Sequence, residues 1–172
     1  MQKRILVVTQ HFWPENFRIN DMVAGFVQDG VAVDVLCGLP NYPKGEWFDG
    51  YSENGPWEQT YQGAGVYRAK EIPRKSNTGL RIFLNYVSWP WYAAKELHRL
   101  PGGYDAVFCF NTSPVLMCWP ALRYAQSTRS PLPTMCWISG PKICTAYCRS
   151  KIAFCAGSPR QSATACISAL TV

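Results

Sequence analysis

Two hydrophobic patterns alternate over the first forty residues. Residues 4–10 form a continuous, largely β-branched apolar run, which is typical of a strand buried in a parallel sheet. Apolar residues then recur at helical spacing up to Gly30, which we expect to end the helix in a left-handed conformation. Residues 31–37 form a second apolar run. Strand, helix and strand in this order predict a βαβ unit, the start of an α/β, Rossmann-like fold with a parallel sheet flanked by helices.

The chain continues this alternation up to residue 138, after a long loop. Residues 38–57 are rich in Gly, Pro, Asn and aromatic residues and are predicted to form an ordered loop. The elements predicted beyond it are a hairpin of residues 58–62 and 66–70, a basic loop over 71–78, a helix over 79–100 kinked at Pro90, a core strand over 105–110, a helix over 115–125 with an internal Pro120, and a strand over 131–138. Residues 1–138 are therefore expected to form one domain.

The composition changes towards the C-terminus. Residues 1–105 contain all 11 acids and 11 of the 17 bases, whereas the residues after them contain six bases and no acid. Such an imbalance is typical of a patch that binds nucleic acid or membrane, and equally of a segment with abnormal composition. Residues 139–172 show neither helical nor strand periodicity, which favours the second interpretation. We expect an aberrant, disordered or poorly packed tail and no nucleic-acid partner.

The cysteines also differ between the two parts of the chain. Cys37, Cys109 and Cys118 lie in apolar segments and are predicted to be core residues. The other five crowd residues 136–166 without a C-x-x-C pair, and both histidines are distant in sequence, so we expect no metal and no cofactor. The apolar run after the start is too short for a secretory signal, and no run reaches the roughly 20 residues of a membrane span. These features indicate a cytoplasmic protein.

Two early segments are specific enough to indicate a family. They are residues 9–21, TQHFWPENFRIND, and residues 38–45, GLPNYPKG. Together with Ile72-Pro73-Arg74, the segment LRIFLNY at 80–86 and Thr112-Ser113-Pro114, they make residues 1–138 resemble the N-terminal half of bacterial family 4 glycosyltransferases of the GT-B fold. Members of this family act in O-antigen, capsule and related surface-polysaccharide synthesis.

The resemblance implies a function for the parent protein. It implies metal-independent, retaining transfer of a sugar from a nucleotide-sugar donor to an acceptor, expected to be lipid-linked, at the inner face of the cytoplasmic membrane. The N-terminal domain would hold the acceptor, and a C-terminal domain that this chain lacks would hold the donor. The chain alone is therefore expected to be inactive.

The resemblance stops abruptly near residue 139. The family has a Trp-x-Gln-Asp-Leu-Trp-Pro-Glu-like segment where this chain reads Trp137-Ile138-Ser139-Gly140-Pro141. The codons TGG ATC TCA GGA CCT could encode these residues, and deletion of one T gives a frame that encodes Trp-Ile-Gln-Asp-Leu. We therefore hypothesise a one-base frameshift. An intact downstream frame in genomic reads would support it, and relatives that end at the same residue in frame would contradict it.

Candidate site residues follow the predicted strands, because ligands of such sheets lie at the carboxyl ends of the strands. Arg18 opens a helix whose N-terminus attracts phosphate, so it would bind a diphosphate, or else pair with Glu15 or Asp21. Glu15 and Asn16 are candidates for contacts to sugar hydroxyls, although capping of the helix is the simpler role for Asn16.

Two further loops complete the candidate substrate-binding set. Asn41 and Tyr42 lie in a loop stiffened by two prolines and would contact the acceptor or only pack the loop. Thr112 and Ser113 follow the strand over 105–110. His11 is a weak candidate for a catalytic base, since a lone loop histidine is more often not catalytic. The family's catalytic aspartate would fall where this chain diverges, so no catalytic residue is assigned.

The helix over 79–100 leaves a second function open. It carries five aromatic residues near several bases, so its rings could meet a membrane interface while the bases meet anionic headgroups. We expect most of the rings to pack in the core instead. The alternative function is therefore a non-catalytic module that binds a membrane or a partner. A third possibility, an NAD-binding fragment, is disfavoured because no G-x-G-x-x-G is present.

Overall fold

The computed structural model describes residues 2–76, 78–112, 114–132 and 134–136. Residues 134–136 are described by their backbone only. Its strands are β1 (Arg4–Val8), β2 (Ala32–Gly38), β3 (Glu58–Tyr61), β4 (Ala64–Ala69), β5 (Ala106–Asn111) and β6 (Thr134–Cys136), and its helices are α1 (Arg18–Gln28), α2 (Gly79–Glu96) and α3 (Trp119–Thr128). Two 3-10 turns, Leu97–Arg99 and Val115–Cys118, follow α2 and precede α3. The predicted tail at 139–172 and Ser113 lie outside the described residues.

One sheet contains the six strands in the order β3-β4-β2-β1-β5-β6. All neighbouring pairs are parallel except β3 and β4, which form an antiparallel hairpin at the edge. The chain adds strands to one side of β1 and then crosses to add β5 and β6 on the other side. The order therefore reverses between β1 and β5, as in doubly wound folds, and the predicted Rossmann-like α/β class is confirmed.

Helices cover both faces of the sheet because strand residues point alternately to either side. Ile5 and Val7 of β1 pack with Phe26 of α1 on one face. Leu6 and Val8 pack with α2 and α3 on the other face, around the fully buried Trp89. The predicted core cysteines are confirmed, since Cys37, Cys109 and Cys118 are all buried.

Several predicted boundaries shift for local reasons. Gly30 has the expected left-handed conformation, with φ 80°. The β3–β4 turn is Gln62-Gly63, both with positive φ, so β4 begins two residues earlier than predicted. Pro120 is not internal to a helix. It lies in the first turn of α3, where its missing N–H costs nothing, while Val115–Cys118 form the 3-10 turn before it.

The aromatic residues of helix α2 divide between the core and the surface, with most of them in the core as predicted. Trp89 is fully buried, and Tyr86 and Tyr92 pack partly against the core. Phe83 and Trp91, however, are 61% and 56% exposed. The core therefore takes three of the five rings, and two face outward.

Candidate functional site

Buried polar side chains converge at the carboxyl edge of the sheet. The strands β1, β2 and β4 end there at Val8, Gly38 and Ala69, and the loops that follow them contact one another. The polar side chains from these loops and from α2 are each at most 7% exposed: Gln10, His11, Glu15, Asn41, Glu71, Arg74 and Asn85. Buried polar groups require partners, so their hydrogen bonds determine the local structure.

The carboxylate of Glu15 links the loop after β1 to the loop after β2 by hydrogen bonds. Its Oε1 accepts hydrogen bonds from the backbone N–H groups of Asn41 and Tyr42, both at 2.7 Å. Its Oε2 lies 2.7 Å from Nδ1 of His11. Because protein groups occupy both carboxylate oxygens, the side chain of Glu15 positions the loops and is not directed at an open cleft.

Glu71 forms a second centre, surrounded by amide side chains. Its carboxylate accepts hydrogen bonds from Gln10 Nε2 at 2.6 Å, Asn41 Nδ2 at 2.5 Å and Asn85 Nδ2 at 3.3 Å. Complete burial raises the pKa of Glu71 well above its ordinary value, and the nearby charge of Glu15 adds to this, against the opposing hydrogen bonds from the amides and the charge of Arg74.

The side-chain amides around Glu71 can accept a hydrogen bond from its protonated carboxyl group. Gln10 Oε1 and Asn41 Oδ1 are buried and have no partner among the described residues. Each belongs to an amide that already donates to Glu71, and an amide turned by a half-rotation would present its oxygen instead. A protonated Glu71 could therefore donate to one of them, which agrees with the raised pKa.

Arg74 links the two carboxylate centres into one network. Its Nη2 lies 3.4 Å from His11 Nε2, and its Nε donates to Asn85 Oδ1 at 3.3 Å. Starting from Glu15, the bonds run through His11, Arg74, Asn85, Glu71 and Asn41 and return to Glu15. We call these six side chains the polar network. The guanidinium also lies 5.1 Å from the ring centre of Tyr42 and 5.0 Å from that of Tyr86.

His11 is held at both ring nitrogens. The geometry suits a neutral ring that donates from Nδ1 to Glu15 and accepts from Arg74 at Nε2. Its ring also stacks on Phe17 at 4.9 Å. A general base needs a free nitrogen within reach of its substrate, so the geometry supports a positioning role for His11 better than the catalytic role considered from the sequence.

The other predicted residues lie around this network. Tyr42 is 40% exposed, with its ring 5.5 Å from that of His11. Asn16 and Arg18 are exposed at the start of α1, and Thr112 is partly exposed after β5. The predicted capping by Asn16 is wrong: the N-cap residue is Phe17, and no side chain caps the helix. Asn20 in the first turn accepts a hydrogen bond from the backbone N–H of Trp13 and donates one to the backbone oxygen of Glu15.

Sequence reasoning missed five residues of the site and its support. Gln10, Arg74 and Asn85 lay in the quoted motifs, but nothing in their spacing showed that they would be buried together. Glu71 came from a loop without a visible functional pattern. Arg68 of β4 was also missed. It is fully buried and donates to the backbone oxygens of Trp13 at 2.7 Å and Gly38 at 2.9 Å, which holds the same loops together.

Two negative findings concern the part of the chain that the structure describes. No group of three or more His, Cys, Asp or Glu side chains there is arranged to hold a metal ion. No helix there combines the length and the apolar character needed to cross a bilayer. Comparisons of the sequence with described protein families and with curated proteins find no match.

Proposed function

We propose that residues 1–138 form the acceptor-side domain of a glycosyltransferase and bind a saccharide acceptor linked to a lipid through a diphosphate. The proposal rests on the resemblance in residues 9–21 and 38–45, which contribute His11, Glu15 and Asn41 to the buried polar network and place the partly exposed Tyr42 beside it. The fold agrees, because ligands of doubly wound sheets bind at the carboxyl ends of the strands near the reversal of strand order.

The observation that carries the proposal is the length of the hydrogen bonds that hold Arg74 in the polar network. The hydrogen bonds to Glu15 and two of those to Glu71 measure 2.5–2.7 Å, whereas the bond from Asn85 to Glu71 and the bonds of Arg74 to the described residues measure 3.3–3.4 Å. Long hydrogen bonds are weaker than short ones, so these bonds of Arg74 oppose reorientation of the guanidinium towards a ligand less than short bonds would. Its planar fork suits a phosphate group.

Tyr42 supplies a complementary contact. Its half-exposed ring lies over the guanidinium of Arg74, so an apolar face adjoins a buried cation. A diphosphate attached to a sugar presents the matching pair of charged and ring-shaped groups. Binding sites commonly combine aromatic walls with a few placed polar groups in this way.

The loop after β1 disfavours the dinucleotide alternative. A pyrophosphate-binding loop at this point uses glycines so that the backbone can approach the phosphates. Residues 9–17 contain no glycine, and they include the bulky side chains of Phe12 and Trp13.

The test is a binding titration of the full chain by calorimetry. The ligands are a short-chain polyprenyl diphosphate N-acetylhexosamine in detergent, UDP-N-acetylglucosamine and NAD. We expect the lipid-linked sugar to bind and the other two to bind at least about tenfold more weakly. Arg74→Gln should weaken binding of the lipid-linked sugar by about tenfold or more, because a hydrogen bond to a charged group contributes about 1.5–3 kcal/mol.

Lys3→Gln is the matched control, since it removes one exposed cation just before β1, at the opposite edge of the sheet. It should leave affinity within about twofold. Preferential binding of UDP-N-acetylglucosamine would contradict the acceptor-side assignment, and equal losses in the two variants would contradict the role of Arg74. We further propose that the chain alone does not transfer sugar, and detection of transfer by the purified chain would overturn this.

A further inference from the structure

The carboxyl group of Glu71 is enclosed by amide side chains. Glu71 is 3% exposed, and its oxygens accept hydrogen bonds from Gln10, Asn41 and Asn85. These donors are neutral, so they satisfy the carboxyl oxygens without compensating a charge. Arg74 connects to Glu71 through Asn85, whose Oδ1 accepts from Arg74 Nε at 3.3 Å. A negative charge on Glu71 therefore depends on Arg74 for compensation.

Two carboxylates share one guanidinium in the polar network. They belong to Glu15 and Glu71, the guanidinium belongs to Arg74, and the hydrogen bonds of His11 suit a neutral ring. With both carboxylates ionised, the network would carry one uncompensated negative charge, and protonation of Glu71 would remove it. Because an uncompensated charge is costly to bury, the network is better suited to a protonated Glu71.

The neighbouring amides can receive that proton in a hydrogen bond. Gln10 Oε1 and Asn41 Oδ1 are buried and have no partner among the described residues, and a half-rotation would turn either oxygen towards Glu71. The pKa of Glu71 agrees with this, since burial raises it well above its ordinary value. The charge of Glu71 can therefore change at pH values where exposed carboxyl groups stay ionised.

Other titratable and charged groups lie around Glu71. Glu15 faces it from the loop after β1, and the charge of Glu15 raises the pKa of Glu71 further. Cys37 lies near it in β2, and burial raises the pKa of this thiol to about 11, so the thiol stays neutral at lower pH. Beside Cys37, Arg68 of β4 is bonded to backbone oxygens of the surrounding loops. His11 could also take up a proton, so a test must separate it from Glu71.

We propose that the site takes up a proton at Glu71 when a diphosphate binds to Arg74, so that the ligand binds more tightly at low pH. The inference rests on the proposed function. A bound diphosphate adds negative charge close to the polar network and engages the guanidinium whose charge favours the ionised carboxylate. Both effects raise the pKa of Glu71 above its value in the ligand-free chain. Affinity is therefore highest below both pKa values and falls as pH rises from the lower value to the higher one.

The test is calorimetric titration of the full chain with the short-chain polyprenyl diphosphate N-acetylhexosamine, from about pH 5 to about pH 9. Both phosphates of this ligand are esterified and keep only strongly acidic groups, so the charge of the ligand is constant over this range. Titrations in two buffers with different ionisation enthalpies give the number of protons taken up. At the pH of largest uptake we expect about half a proton or more, with affinity falling about threefold or more per pH unit.

Glu71→Gln removes the group that binds the proton and keeps the shape of the side chain. It should abolish the proton uptake and flatten the dependence of affinity on pH. His11→Gln should retain the uptake, because the carboxyl group of Glu71 is still present. Asp29→Asn is the matched control, since it makes the same change of carboxyl to amide at the exposed end of α1, just before β2 and at the opposite edge of the sheet. It should retain both the uptake and the pH dependence.

Three results would overturn the coupling at Glu71. They are absence of proton uptake, uptake that persists in Glu71→Gln, and loss of uptake in a His11→Gln chain that still binds. The titration of the unaltered chain, together with His11→Gln, decides the question if Glu71→Gln folds poorly by circular dichroism. In each of these cases, binding of the lipid-linked sugar and its weakening by Arg74→Gln would still support the proposed function. Absence of binding at every pH would overturn both.

Discussion

Replacement of Glu15 by alanine is the most direct test of how the loops are held. The substitution removes the partner of three donors at once: the backbone N–H groups of Asn41 and Tyr42 and the Nδ1 of His11, each at 2.7 Å. Glu15 is 2% exposed and Asn41 is 0% exposed, so water cannot readily replace the lost carboxylate. The donors would remain buried and unsatisfied.

The expected loss of stability follows from these three contacts. A buried donor left without a partner costs about 1–3 kcal/mol, so Glu15→Ala should lower the free energy of unfolding by about 3–5 kcal/mol. With a urea m-value of about 2 kcal/mol/M, the unfolding midpoint should fall by about 2 M. The assay is urea unfolding of the full chain followed by circular dichroism, which reports the helices.

Glu46→Ala is the matched control. Glu46 is exposed in the loop that follows Asn41, so its removal should change stability by less than about 0.5 kcal/mol. Glu15→Gln should fall between the two variants, because its amide oxygen can still accept from Asn41 and Tyr42 but its amide group opposes the N–H of His11. A midpoint for Glu15→Ala equal to that of Glu46→Ala would refute the role assigned to Glu15.

Two further predictions concern Glu71 and its surroundings. The folded-state pKa of Glu71 is raised by burial, so the folded chain binds a proton more tightly than the unfolded chain, and stability should fall as pH rises from about 4.5 through the raised pKa. Glu71→Gln should flatten this part of the stability–pH curve, measured by urea midpoints across pH, and an unchanged slope would contradict the raised pKa. A Cβ added at Gly38 would lie 2.9 Å from both the backbone oxygen of Gln10 and Glu71 Oε1. Gly38→Ala should therefore lower the thermal midpoint, by overpacking worth about 1–3 kcal/mol, and an unchanged midpoint would show that the loops can separate freely.

The order of the elements could be predicted from the sequence because it depends on local periodicity. The apolar runs of β1, β2 and β5 and the helical spacing in α1 are visible without any knowledge of tertiary structure. The hairpin was also visible, but not the joining of β4 to β2 in parallel, since pairing partners depend on contacts distant in sequence. Likewise, the position of Pro120 depended on where the 3-10 turn ended.

The candidate site was only half predictable for the same reason. His11, Glu15, Asn41 and Tyr42 could be selected because they follow strands in unusual loop sequences. The roles that these residues have in the structure could not be predicted. Whether a glutamate faces a cleft or joins two loops depends on which loop lies opposite, and here the two backbone N–H groups of the β2 loop meet Glu15. The spacing of residues along the chain does not show that Glu15 contacts these two N–H groups.

The polar network is better explained by positioning than by stability. Apolar residues of similar volume usually replace buried charges at no cost or with a gain in stability, so stability alone does not account for two carboxylates and a guanidinium in this position. Apolar packing, however, cannot hold a cation within reach of a ligand. In this network the bonds of 2.5–2.7 Å fall on Glu15 and Glu71, which join the loops, whereas the bonds of Arg74 to described residues and the bond between Asn85 and Glu71 measure 3.3–3.4 Å. The short bonds fix the loops around Arg74, which suits the anion-binding role proposed for its guanidinium.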